Sequence, residues 1–122
     1  MSTLKADTIQ STSGGAATLT KQNGAKAFTF SGDDASSFAV NLNISSGIDE
    51  GTGDYIHNFT NAFSTSVDEG QGTGATCAGG ARGARIATSD TTSTAIGIQT
   101  ENFSDGANAD SRHSFVICGD LA

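Results

Sequence analysis

Phe38, Val40, Leu42 and Ile44 alternate with Ala39, Asn41 and Asn43, and this period of two is the strongest constraint on how the chain can fold. Successive side chains of a strand point to opposite sides, so strict alternation marks a strand with one face buried. The same period recurs at Phe28 and Phe30, set between Ala27 and Thr29, and at Ile96 and Ile98 within Thr94–Thr100. It returns in the closing run Ser114-Phe115-Val116-Ile117-Cys118-Gly119-Asp120-Leu121-Ala122, which is β-rich to its last residue, as expected of an end tied into a sheet. Helix has no support, because Ser, Thr, Gly and Asn dominate and no apolar set persists at helical spacing.

Turn signals separate these runs. The chain has 16 glycines and no proline among 122 residues, with a dense scatter of Ser, Thr, Asn and Asp, the composition of short strands joined by turns. Ile48 to Tyr55 reads as a hairpin, with Gly51 and Gly53 where positive φ is needed. The returning strand, Tyr55 to Phe63, places Tyr55, His57, Phe59, Asn61 and Phe63 on one face. Further strands are expected at Ala84–Thr88, near Glu101–Phe103 and at His113–Gly119. Six or seven short strands predict an all-β fold, an antiparallel β-sandwich or jelly-roll-like knob with an extended N-terminal arm. Residues 68–83 lack periodicity and read as a long loop, of the kind that is usually functional or mobile.

The chain divides at Ala25. Residues 1–24 are polar, with Leu4, Ile9, Ala16, Ala17 and Leu19 too sparse for a helix face or an independent sheet. They read either as a docking arm or stem ordered by a partner, or as a disordered tail. Residues 25–122 hold every clear strand and form the β-rich knob. Seven Phe and one Tyr, with few Ile, Val and Leu, make a thin core, so a lone subunit is marginal and oligomerisation is expected to supply the rest. Only 16% of residues are charged, which suits packing against copies of the same chain.

A net charge of −7 with six Lys and Arg argues against nucleic acid or an anionic membrane as partner, since phosphate binding needs clustered cations. Arg82 and Arg85 in Gly79-Gly80-Ala81-Arg82-Gly83-Ala84-Arg85 are the one basic cluster, and they lack a phosphate-loop pattern and a following helix. No apolar run reaches membrane-spanning length, and Met1 is not followed by a hydrophobic signal segment, so synthesis in a cytosol without membrane insertion is expected. Cys77 and Cys118 then read as two thiols, with a disulfide between the Gly-rich loop and the last strand as the alternative once outside the cell. The sequons at Asn43, Asn58 and Asn102 read as incidental strand sequence.

Groups capable of chemistry are His57, His113, Cys77, Cys118 and the carboxylates Asp33, Asp34, Asp49, Glu50, Asp54, Asp68 and Glu69. The carboxylates fall in predicted turns, where acids are common, so no catalytic role and no cofactor are assigned. Asp49-Glu50 with Asp54, or Asp68-Glu69, has the chemistry of a Ca²⁺ turn but not EF-hand spacing; the reading preferred is a solvated turn with no metal. If His57 or His113 lay on a threefold axis it would form a His₃ site; the alternative is a surface or satisfied interior histidine. For a glycan, Tyr55 or the Gln71–Cys77 segment would supply aromatic and amide contacts from exposed loops, though no receptor-binding residue is assigned.

Leu4-Lys5-Ala6-Asp7-Thr8-Ile9-Gln10-Ser11-Thr12-Ser13-Gly14-Gly15, then Leu19-Thr20-Lys21-Gln22 and Ala25-Lys26-Ala27-Phe28, resemble the small fibre-type virion proteins of tailed bacteriophages, particularly those infecting marine bacteria and cyanobacteria. The stretch from Asn43 to Phe63, above all Gly51-Thr52-Gly53-Asp54-Tyr55, and the terminal Gly119-Asp120-Leu121-Ala122 extend the resemblance over most of the chain. It departs at His57, where such sequences more often carry Val, and at 68–83, which has no counterpart. The resemblance implies a homotrimeric virion protein, made in the host cytoplasm, that attaches to other virion proteins through residues 1–24. Its β-domain would bind a host-surface glycan or protein without chemistry; a capsid decoration or head-fibre role without receptor binding is the alternative.

Overall fold

The computed structural model describes residues 24–67, 72–77 and 81–119, so the arm proposed for 1–24 lies outside the described residues except for Gly24. The described residues are all-β, with eight strands: β1 (Ala25–Ser31), β2 (Phe38–Leu42), β3 (Ile44–Gly51), β4 (Asp54–Phe59), β5 (Gly72–Cys77), β6 (Arg82–Ala87), β7 (Ala95–Asn102) and β8 (His113–Cys118). They form two four-stranded antiparallel sheets, in the orders β2-β1-β8-β5 and β3-β4-β7-β6. Ala27, Phe115 and Ile117 from the first sheet join Ile44, Phe59, Ile96 and Ile98 from the second in one buried cluster, which Phe63 and Val67 complete.

Local chemistry directs the chain between the sheets. Asp34 accepts hydrogen bonds from the Ser36 N–H at 3.0 Å and the Ser36 hydroxyl at 2.7 Å, fixing the β1–β2 turn. At the end of β2, Asn43 takes a positive φ of 61°, which asparagine tolerates better than most residues. Its side chain donates to the Asn61 carbonyl at 2.9 Å and accepts from the Asn61 N–H at 2.7 Å. This clamp bends the chain out of the first sheet and starts β3 in the second.

The β3–β4 hairpin forms where expected, with Gly51 at φ 141° and Gly53 at φ 67°. At Gly53 a Cβ would also collide with the Thr100 carbonyl and the Ala109 backbone, so glycine is required twice over.

Several expectations need correction. The Phe38–Ile44 alternation does not bury one face: Phe38 is half-buried, Val40 and Leu42 are exposed, and Ile44 belongs to the next strand. The cause is the turn at Asn43, which splits the run between two sheets. The strand from Tyr55 stops at Phe59, although Phe63 is still buried by the segment that follows. Gly72–Cys77, read as loop, is a strand held by pairing with β8. Arg82, within the stretch read as loop, also sits in β6, whereas Arg85 lies in the strand expected from Ala84. Residues 101–102 continue β7 and make no strand of their own.

Candidate functional site

Two features stand apart from ordinary packing: a polar cluster buried between the sheets, and an apolar face turned outward on the first sheet.

The buried cluster is built by parity. Tyr55, His57 and Phe59 are inward on β4, and His113, Phe115 and Ile117 are inward on β8. His57 and His113 therefore meet across the interior, with their Nε2 atoms 2.7 Å apart and both residues fully buried. The His113 Nδ1 lies 3.0 Å from the Ser111 carbonyl, which can only accept, so that nitrogen carries the proton. The His113 Nε2 then accepts, and His57 donates to it from Nε2. This leaves His57 Nδ1 as a bare, buried lone pair without a partner.

Burial, with His113 alongside, pushes the His57 pKa down to about 3, and burial also lowers that of His113 against the pull of the Ser111 carbonyl. Both rings are neutral at ordinary pH. Tyr55 stacks on His113 at a centroid distance of 4.4 Å, and its hydroxyl accepts from the Ser111 N–H at 3.1 Å. The same hydroxyl donates to Asp110 at 3.4 Å, and burial raises its pKa.

This geometry decides three site readings: it corrects the exposed Tyr55 and agrees with satisfied interior histidines and two free thiols. Neither histidine can meet copies of itself on a symmetry axis, because each is enclosed and bonded to the other. Tyr55 is not an exposed glycan contact; it is core, held by its hydroxyl partners. Cys77 and Cys118 are free and cannot bridge within the chain: Cys77 pairs with His113 and Cys118 with Gly72, opposite ends of the β5–β8 ladder. Five residues of strand separate those ends by about 17 Å, far beyond disulfide reach.

Arg82 and Arg85 do not converge on an anion. Three residues apart on β6, they point to opposite sides; Arg82 donates to the Asp110 carbonyl, and Arg85 lies 3.7 Å from Glu101. Asp49 accepts from the Gly51 N–H at 3.0 Å and Asp54 from Gln99 at 3.4 Å. No group of three or more His, Cys, Asp or Glu is arranged to hold a metal among the described residues. Asp68, Glu69 and Gln71 lie outside them.

The second feature is an inversion of the usual pattern. On β1 the inward residues are Ala27, Thr29 and Ser31, while Phe28 and Phe30 point the other way. Val116 on β8 and Val40 and Leu42 on β2 join them: Phe28 pairs with both Leu42 and Val116, and Phe30 with Val40. Phe30 is 41% exposed, Val40 57%, Leu42 42% and Val116 42%, so four of the six exposed large hydrophobics among the described residues share this one sheet face. The outer face of the second sheet is mixed by contrast: the Arg85–Glu101, Gln99–Asp54 and Asn58–Ser46 pairs surround the paired Ile48 and Ile56, with Ile48 43% exposed. Two depressions open to solvent flank the apolar face. One, of about 340 Å³, is lined by Phe30, Asp33, Ser37, Phe38 and Arg112, and the other, of about 280 Å³, lies over Gly74, Thr76 and Val116.

Sequence reasoning missed both features, although parity carried a signal for each: His57 lies in step with Tyr55 and Phe59, and Phe115-Val116-Ile117 is apolar on both sides of one strand. Compared with models of known families, with characterised proteins and with solved structures, the chain matches none.

Proposed function

We propose that this chain is a virion fibre protein of a tailed bacteriophage, a homotrimer whose β-domain attaches to the host surface by binding without chemistry. One observation carries the reading. The chain's histidines are enclosed and bonded to each other, while the most unusual exposed feature is an apolar sheet face. A domain built this way works through its surfaces. The sequence resemblance from Leu4 to Phe63 supplies the viral context, and residues 1–24 are the segment we assign to docking on other virion proteins.

We read the two sheets as a sandwich wound in jelly-roll fashion. In support, both sheets contribute side chains to one buried cluster, and the first strand, β1, pairs with the last, β8. A sandwich of this kind leaves its edge strands and loops free to meet a receptor.

The test is adsorption. Purified full-length protein should bind host cells saturably and reduce phage adsorption in a dose-dependent way. A properly assembled oligomer that neither binds nor competes contradicts attachment and leaves the decoration role on the capsid.

A further inference from the structure

We infer that the outer face of the β2-β1-β8-β5 sheet is where one copy of this chain seats against another, an interface that rests on the oligomeric reading above and gives it a location. Four observations converge on it.

The first is the inversion on β1, which turns Phe28 and Phe30 away from the core while Thr29 and Ser31 point into it. A strand folded only for its own domain would do the reverse. The second is Phe115-Val116-Ile117 on β8, an unbroken apolar run of the kind found where a sheet is covered on both faces.

The third is charge, and it selects the occupant. The four strands of this sheet contain no Asp or Glu, and their one Lys or Arg is Lys26. The strands of the other sheet contain Asp49, Glu50, Asp54, Glu101, Arg82 and Arg85. In a chain of net charge −7, the first sheet is the face on which two copies meet without carboxylate opposing carboxylate. A basic partner would find no carboxylate on those four strands to bind. Residues 1–23 offer Leu4, Ile9 and Leu19 as their largest aliphatic side chains beyond Met1, too little to cover Phe28, Phe30, Val40, Leu42 and Val116.

The fourth is Gly74. Its φ is not in the left-handed region, and a Cβ built on it would touch nothing within 4 Å. Nothing in its own protomer calls for glycine, although glycine weakens a strand. The depression it leaves beside Val116 admits a close approach by a side chain from outside.

The test uses full-length protein and sedimentation velocity at micromolar concentration. Wild type should sediment as an oligomer, and the double variant Val40→Asp with Val116→Asp as a monomer, its association weakened about 100-fold or more by the buried charges. Both variants point outward, so the far-ultraviolet spectrum and cooperative melting should persist. Gly74→Val serves as a second probe, since it meets no atom of its own protomer and should still weaken association. Ile48→Asp, on the other sheet, should leave the oligomer intact.

An oligomer that survives both the double variant and Gly74→Val overturns the interface. A monomeric wild type overturns it too, and if the Cys118 thiol then resists a modifying reagent, residues 1–23 cover the face instead. Host-cell adsorption measured on the same samples separates the two readings: variants that stay oligomeric yet bind cells refute the interface alone, and an oligomer dispersed as expected from wild type that never bound cells refutes attachment alone.

Discussion

Replacing Phe59 with alanine should destabilise the protein by about 3–5 kcal/mol, the range for removing a phenyl ring from a packed core. Phe59 is inward on β4, belongs to the buried cluster shared by both sheets, and meets Phe63 edge-on at a centroid distance of 5.0 Å. Ile44 is its register partner on β3, so the cavity would open beside the point where the chain enters the second sheet. Little nearby can collapse into the space, because β4 is pinned between β3 and β7. Urea unfolding of the two proteins checks the value, and a loss below about 1 kcal/mol would place the ring at the surface in solution.

The second large effect is acid lability. Unfolded histidine titrates near pH 6.5, whereas His57 in the folded chain is pushed down to about 3 and His113 is lowered as well. Between those values the unfolded chain binds more protons than the native one, so stability falls as the pH falls through this window. Above about pH 6.5 both states hold neutral rings and the contribution is fully present. His57 alone should cost about 1.4 kcal/mol per pH unit, or about 2 kcal/mol by pH 5, and His113 adds in the same direction.

Chemical denaturation at about pH 7.5 and pH 5 measures the difference. His57→Leu should flatten the profile, since it removes one of the two titrations. The exposed Asp34, whose pKa is lowered chiefly by the Ser36 hydroxyl and N–H, acts only in more acidic solution and does not confuse the window. Stability unchanged from pH 7.5 to pH 5 would mean that the two rings are not enclosed.

Periodicity made much of this fold legible. Alternation located β1, β4, β7 and β8, and the glycines flanking Thr52 located the hairpin with its positive φ angles. Alternation does not say which face is inside, and that is why it places Val40 and Leu42 in the core: a period of two is the same whether the apolar side meets the core or another molecule. The β5 strand escaped notice for a different reason. Gly72 and Gly74 leave no side-chain pattern on one face, and the strand exists through backbone pairing with β8, a partner some forty residues away. The histidine pair is also a product of topology, since 56 residues separate its members and only the packing of β4 against β8 brings them together. Whether either carboxylate of Asp68-Glu69 holds a cation lies outside the described residues.

We propose a fibre protein that meets the host. Its position on the phage particle tests that most directly, by labelled antibody or by density in a reconstructed virion. Signal is expected at the outer end of a tail fibre, with residues 1–24 toward the particle and the β-domain from Ala25 pointing away. Signal spread over the capsid surface, or a particle that lacks the protein, would contradict it.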